Sequence, residues 1–262
     1  MINSLWVSKT GMEAQQMQLD TISNNLANVS TTGFKRSNVA FEDLMYQNLR
    51  QVGGATSEQS QLPTGLQLGT GVRVVGTARQ FTQGNVQQTG NNLDVAIQGN
   101  GFFQVTMPDG TIGYTRDGSF KINAQGQVVT NNGYAVANGI TVPTNAENLV
   151  ISADGTVTAS IKESGKMVER QIGTIALASF INPAGLDPRG QNIYIETVAS
   201  GQPNTSTPGL NGMGDLMQGY LETSNVNVVQ ELVTMIQTQR AYEMNSKAIQ
   251  TSDQMLQKLG QL

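Results

Sequence analysis

The chain has 262 residues, enough for one large domain or two ordinary ones, and only 13% of them are charged, about half the usual share for a soluble protein. A net charge of −4 supplies no basic patch and argues against nucleic acid as a partner. With no Cys and no His, disulfides, thiolate metal sites, Ser-His-Asp catalysis and a His-based zinc helix are all excluded.

The first element is a helix expected from about Ile2 to Val29. Leu5, Met12, Leu19 and Leu26 recur every seventh residue, with Ile22 and Val29 three residues after the last two. That spacing keeps one narrow stripe on one side of a helix, the geometry of a coiled-coil seam rather than of a wide core-facing surface. Gly11 costs the helix about 1 kcal/mol relative to Ala, so it is expected to be stable only when packed. Ser30-Thr31-Thr32-Gly33 ends it, with Gly33 free to turn left-handed. Phe34, Lys35 and Arg36 lead into a short segment with Phe41, Leu44, Met45 and Tyr46. Residues 50–65 are polar, Gly-rich and broken by Pro63, which fits a long extended connection or a flexible loop alike.

From Val72 the apolar period becomes two. Leu93, Val95 and Ile97 alternate with Asp94, Ala96 and Gln98, and Phe103, Val105 and Met107 follow the same rule. Turn pairs then arrive at short intervals: Asp109-Gly110, Asp117-Gly118, Gln125-Gly126, Asn132-Gly133, Asp154-Gly155 and Ser164-Gly165. Such runs predict antiparallel hairpins. Tyr114, Phe120, Ile122, Val128, Tyr134, Val136, Leu149, Ile151, Ile175, Leu177, Phe180, Ile193 and Ile195 are the expected core. No helical period is present between 70 and 215, and residues 200–219 read as a linker.

The last forty residues repeat the device of the first thirty. Val228, Met235, Tyr242, Ile249 and Leu256 are seven apart, with Leu232, Ile236 and Leu259 beside them. Asn227 and Gln230 form a capping pair at the start of this helix, and Glu243 and Lys247 are spaced for an i,i+4 contact. The two helices, about 40 and 50 Å long at 1.5 Å per residue, are expected to pair as a coiled coil. The fold class is therefore mainly β with α-helical termini, a central antiparallel all-β domain being inserted between them. The expected regions are the helix at 1–33, an extended connection at 34–70, the β domain at 71–221 and the helix at 222–262. Leu5, Met12, Leu19, Ile22, Leu26, Val228, Leu232, Met235, Tyr242, Ile249 and Leu256 form the expected assembly seam.

Chemistry is sparse. No phosphate loop or calcium loop occurs, and Gly69-x-Gly71 and Gly99-x-Gly101 lack the third glycine and the βαβ setting of a dinucleotide site. A glycosidase needs two acids about 5–9 Å apart, and the candidates are Asp94, Asp109, Asp117, Asp154 and Asp187. Three of these sit in Asp-Gly turns, Asp187 precedes a proline, and Asp94 lies in an alternating strand where its side chain is expected to face solvent. No catalytic residue, cofactor or metal is expected. The N-terminus lacks the charged start and apolar core of a secretory signal. No run approaches the ~18 apolar residues of a membrane span, so the chain is not expected to span a membrane.

NNLANVSTTGFKR at 24–36, with Asn25, Leu26, Ala27, Asn28, Gly33, Phe34 and Lys35, resembles the N-terminal signature of the bacterial flagellar rod and hook axial proteins. SNVNVVQELVTMIQTQRAYEMNSKAI at 224–249 resembles the C-terminal signature of that family, and LDVAIQGNGFF at 93–103 and YTRDGSFKINAQGQVVT at 114–130 are similar to its β-domain motifs. Four motifs in the right order cover essentially the whole chain. The chain lacks room for the outer domain of a hook protein. The long 46–65 segment and the ETSNVNVVQELV wording at 222–233 favour the distal-rod branch over a proximal rod protein.

The resemblance implies a self-assembling structural subunit of the distal rod. The terminal helices would line a hollow helical tube that crosses the peptidoglycan and the ring bushing and passes motor torque to the hook. Its partners would be further copies of itself, proximal rod proteins, the hook protein, the surrounding ring proteins and the flagellar type III export apparatus. The location would be the basal body, with the rod in the periplasm, reached without a cleaved signal peptide. Residues 46–65 would keep the rod straight and stiff.

Overall fold

The computed structural model describes residues 2–50, 55–57, 60–61, 64–163 and 166–260. The expected Ser164-Gly165 turn, the side chain of Leu259 and, within 46–65, residues 51–54, 58–59 and 62–63 lie outside the described residues. The chain forms two compact units, one of Met1–Ala27, Ser37–Ala78 and Asn227–Leu262, the other of Asn28–Arg36 and Arg79–Val226.

The first unit holds helix α1, Ile2–Ala27, and helix α2, Val228–Leu259, which pack against each other. The N-cap of α2 is the expected one: the Asn227 side chain accepts from the backbone N–H of Val229 and of Gln230, satisfying two donors that a helix start leaves open. Lys9 and Glu13 form an i,i+4 ion pair on α1 at 3.6 Å. The 34–70 stretch contributes strands to this unit. Ser37–Asp43 pairs with Val72–Arg79, and Gln47–Arg50 pairs antiparallel with Leu66–Leu68.

Among its described residues the second unit holds strands and the 3-10 turn Pro183–Gly185 but no α-helix, as the period of two predicts. Its main sheet runs in the order Phe120–Ile122, Val128–Thr130, Ala135–Val136, Phe102–Thr106, Ile112–Thr115, Ile193–Ile195, Asp187–Gly190. Strand Leu177–Ser179 pairs antiparallel with both Phe102–Thr106 and Asn204–Ser206. A three-stranded antiparallel meander, Ala146–Ile151, Thr156–Glu163 and Lys166–Thr174, stands beside two short antiparallel pairs, Asp215–Gln218 with Val95–Gln98 and Tyr220–Glu222 with Val86–Gln88.

Strand Phe102–Thr106 is the axis of this unit because it is buried on both faces. Phe103 joins a large aliphatic cluster with Val95, Ile97, Leu149, Val157 and Leu177, while its neighbour Phe102 joins an aromatic cluster with Tyr114, Phe180 and Tyr194. Phe103 meets Phe120 edge-on at 5.1 Å and Tyr114 meets Phe180 at 4.8 Å, the approach that ring quadrupoles favour.

Four expectations are corrected. Ala96 is as buried as Val95 and Ile97, because both faces of that strand are covered and the alternation carries no solvent face. Ile122 is exposed, lying on an edge strand of the main sheet. The 200–219 linker contains two paired strands, Asn204–Ser206 and Asp215–Gln218; backbone pairing, not apolar pattern, places these polar residues in sheets. Asp94 is buried and does not face solvent, for its carboxylate accepts from the Thr89 hydroxyl at 2.6 Å and the Asn91 amide at 3.1 Å.

Phe103 is fully buried, so Phe103→Ala should cost about 3–5 kcal/mol, read as a lower midpoint in chemical denaturation with the m-value preserved.

Candidate functional site

The described residues contain no group of His, Cys, Asp and Glu able to hold a metal, and no helix long and apolar enough to cross a membrane. The five candidate carboxylates are occupied locally. Asp109 accepts from the backbone N–H and hydroxyl of Thr111, and these bonds hold its carboxyl below the usual range. Asp117 does the same for Ser119, Asp154 for Thr156, and Asp187 pairs with Arg189 at 3.3 Å. Asp109, Asp117 and Asp154 are turn-closing aspartates. Two features remain, one in each unit.

In the first unit the helix pair packs through small and polar groups. Ala14, Ile22, Asn25, Glu231 and Thr238 are its buried positions, joined by Thr10. The Asn245 amide donates to the Gln15 side chain at 3.1 Å, and a Cβ added to Gly11 would lie only 3.0 Å from that same Asn245 nitrogen. Gly11, costly to an isolated helix, thus lies directly against the Asn245 side chain of the second helix.

Of the expected seam, Ile22 is buried, Leu5, Met12, Leu19, Leu26, Met235 and Ile249 are half-buried, and Val228, Leu232, Tyr242 and Leu256 are exposed. Val229, Leu232, Val233 and Ile236, spaced i, i+3, i+4, i+7, present an open apolar strip on α2, with Val229 71% and Ile236 50% exposed. Packing within one chain leaves that face of α2 uncovered.

Within the N-terminal motif, Asn25 is buried and its amide both accepts from the Ser37 N–H and donates to the Ser37 carbonyl, each at 2.9 Å. Leu26 is half-buried and Ala27 exposed, while Asn28 accepts the Thr31 N–H and hydroxyl as α1 ends. Gly33 has φ +67°, and a Cβ there would meet the Asp117 backbone nitrogen at 2.6 Å. Only glycine, lacking a Cβ, accommodates both that dihedral and that approach. Phe34 is buried and Lys35 is fully buried.

Lys35 marks the second feature, a charge clamp in the β unit. Its ammonium donates to one carboxylate oxygen of Glu222 at 2.6 Å and to the Thr82 carbonyl at 2.7 Å. The same Glu222 oxygen accepts the Gly84 N–H at 2.8 Å, and the other oxygen accepts from Arg116 at 3.3 Å. Arg116 also donates to the Gly99 carbonyl at 2.8 Å and lies 5.3 Å from the Phe102 ring centroid. That ring face partly offsets a buried Nε with no hydrogen-bond partner. Burial pushes the Lys35 ammonium below its ordinary range, with Glu222 opposing the shift, and acts in the same sense on Arg116. One carboxylate thus bonds to two cations, all three buried.

Sequence reasoning reached Lys35 only as a motif residue and did not single out Arg116 or Glu222. The available signal was slight: ETSNV places Glu222 among neutral residues of a charge-poor chain, whereas YTRDG sets Arg116 beside Asp117.

Removing Glu222 strands two buried cations, whereas removing Lys35 leaves Glu222 and Arg116 balanced. Glu222→Gln should therefore cost about 3–5 kcal/mol and Lys35→Met clearly less, a ranking read from denaturation midpoints of the two variants.

Comparison with known proteins agrees with these motifs. A family model for flagella basal body rod proteins matches residues 5–35, one for the flagellar hook protein FlgE/F/G D1 domain matches 96–159, and one for the flagellar basal body rod FlgEFG protein C-terminal region matches 217–262. The chain is 59% identical over 262 residues to the flagellar basal-body rod protein FlgG of Buchnera aphidicola from Schizaphis graminum, with 100% of each chain covered. It is 48% identical over 258 residues to that of Borreliella burgdorferi, covering 98% of this chain and 97% of the other, and 45% identical over 262 residues to that of Caulobacter vibrioides, covering 100% and 99%. The chain belongs to the family of flagellar basal-body rod proteins.

Proposed function

We propose that the chain is a structural subunit of the flagellar distal rod, polymerising into a hollow helical drive shaft that crosses the peptidoglycan and ring bushing and carries motor torque to the hook. The observation that carries this reading is the open apolar strip of α2 on a chain alike over its whole length to basal-body rod proteins. A helix that keeps Val229, Leu232, Val233 and Ile236 uncovered after pairing with its own partner has a further surface to bury. The seam residues named above are the proposed contacts between copies, with residues 1–33 and 222–262 as the inner tube and 71–221 outside it.

In this reading residues 34–70 connect the two, and 46–65 stiffen the rod. Proximal rod proteins, the hook protein, the rings and the type III export apparatus are the remaining partners, and the rod lies in the periplasm after export without a cleaved signal peptide. This reading gives the chain no enzymatic role, and zymography on peptidoglycan should give no clearing.

Met235 and Ile249 are half-buried in the single chain. Placing a charge at either, Met235→Asp or Ile249→Asp, should abolish polymer formation, as followed by sedimentation and electron microscopy, while the β unit keeps its thermal transition. Normal polymers from either variant would remove these residues from the interface.

A further inference from the structure

Residues 28–36 belong to the β unit, yet both the preceding helix and the following strand belong to the other. The segment is held by bonds to residues very distant in sequence. Gly33 donates its N–H to the Glu222 carbonyl at 2.8 Å, Arg36 donates its N–H to the Asn225 side chain at 2.8 Å, and Gln80 donates its N–H to the Arg36 carbonyl at 2.9 Å. Asn225 in turn donates to the Gln80 carbonyl at 2.8 Å. Thr32 adds a hydroxyl bond to Asp117. At the centre is the contact of Lys35 with Glu222, 187 residues apart.

We propose that residues 28–36 are a strap latched by Glu222, which closes only when the C-terminal segment around 222–225 is in place. Two effects keep it open beforehand. Burying an unpaired ammonium costs several kcal/mol, and the receiving site already contains Arg116, a like charge that disfavours the Lys35 cation. Glu222 reverses both, and it is held ready because Arg116 and the Gly84 N–H already hold its two oxygens. A chain made N-terminus first therefore carries its own N-terminal signature undocked until nearly the whole sequence has appeared. Glu222 is a positioning residue for Lys35 and, through Lys35, for the whole strap. This inference rests on the buried geometry alone and does not depend on the rod reading.

Trypsin cleavage after Arg36 in the full-length chain reads the strap directly, with amide-exchange protection of Phe102–Thr106 reporting the core. Glu222→Gln should raise the cleavage rate at least about tenfold while the core stays protected. The double variant Lys35→Met/Glu222→Gln, which has no bare ammonium to bury and leaves only Arg116 unpaired, should be cut more slowly than the single variant. A wild-type rate in the single variant, or a double variant cut as fast as the single, would overturn the latch. If the single variant loses its core protection, the double variant decides: slow cleavage supports the latch and fast cleavage refutes it.

Discussion

Glu222 is the interaction on which the β unit depends most. One carboxylate placed between Lys35 and Arg116 determines that the end of the N-terminal signature, the YTRDG turn and the approach to α2 share one buried point. A lysine with no exposed surface is rare in proteins, and this one is tolerated because its ammonium has both a charged and a neutral acceptor. Buried ion pairs contribute little net stability against a hydrophobic replacement. Their value is in penalising every arrangement that leaves a charge unpaired. In a chain with so few charges, a clamp of this kind specifies which segments meet far more sharply than apolar packing does.

The helical ends are built on the opposite logic. Their mutual packing uses Gly11, Gln15 and Asn245, groups that allow close approach but bury little apolar area. Area removed from water is the main source of stabilisation, so such a pair is held weakly on its own and leaves its larger side chains for other contacts. The β unit, with two apolar clusters packed on either side of Phe102–Thr106, needs no second copy. A chain divided in this way can be independently folded in one part and dependent on assembly in the other.

The features legible in the sequence were those set by local spacing. The Asn227 cap and the hairpin turns at Asp109-Gly110 and Asp154-Gly155 each depend on neighbours within a few residues, and each emerged as read. What could not be read depends on contacts distant in sequence. Ala96 is buried because a second layer covers its face, Asn204–Ser206 is a strand because Leu177–Ser179 offers it a partner, and Asp94 is buried because Thr89 and Asn91 turn back onto it. The clamp is the clearest case, since no local pattern pairs residue 35 with residue 222. Resemblance singled out Lys35 without giving its partner, and geometry supplied it.

The central claim is that the terminal helices gain their main burial from other copies of the chain. Hydrogen exchange compared between soluble protein and polymer tests it most directly. Protection gained on polymerising should be concentrated in α1 and α2, above all around Val229 to Ile236, while the strand Phe102–Thr106 exchanges equally slowly in both states. Helices as protected in the soluble chain as in the polymer would contradict the account, for the pair would then be complete within one molecule.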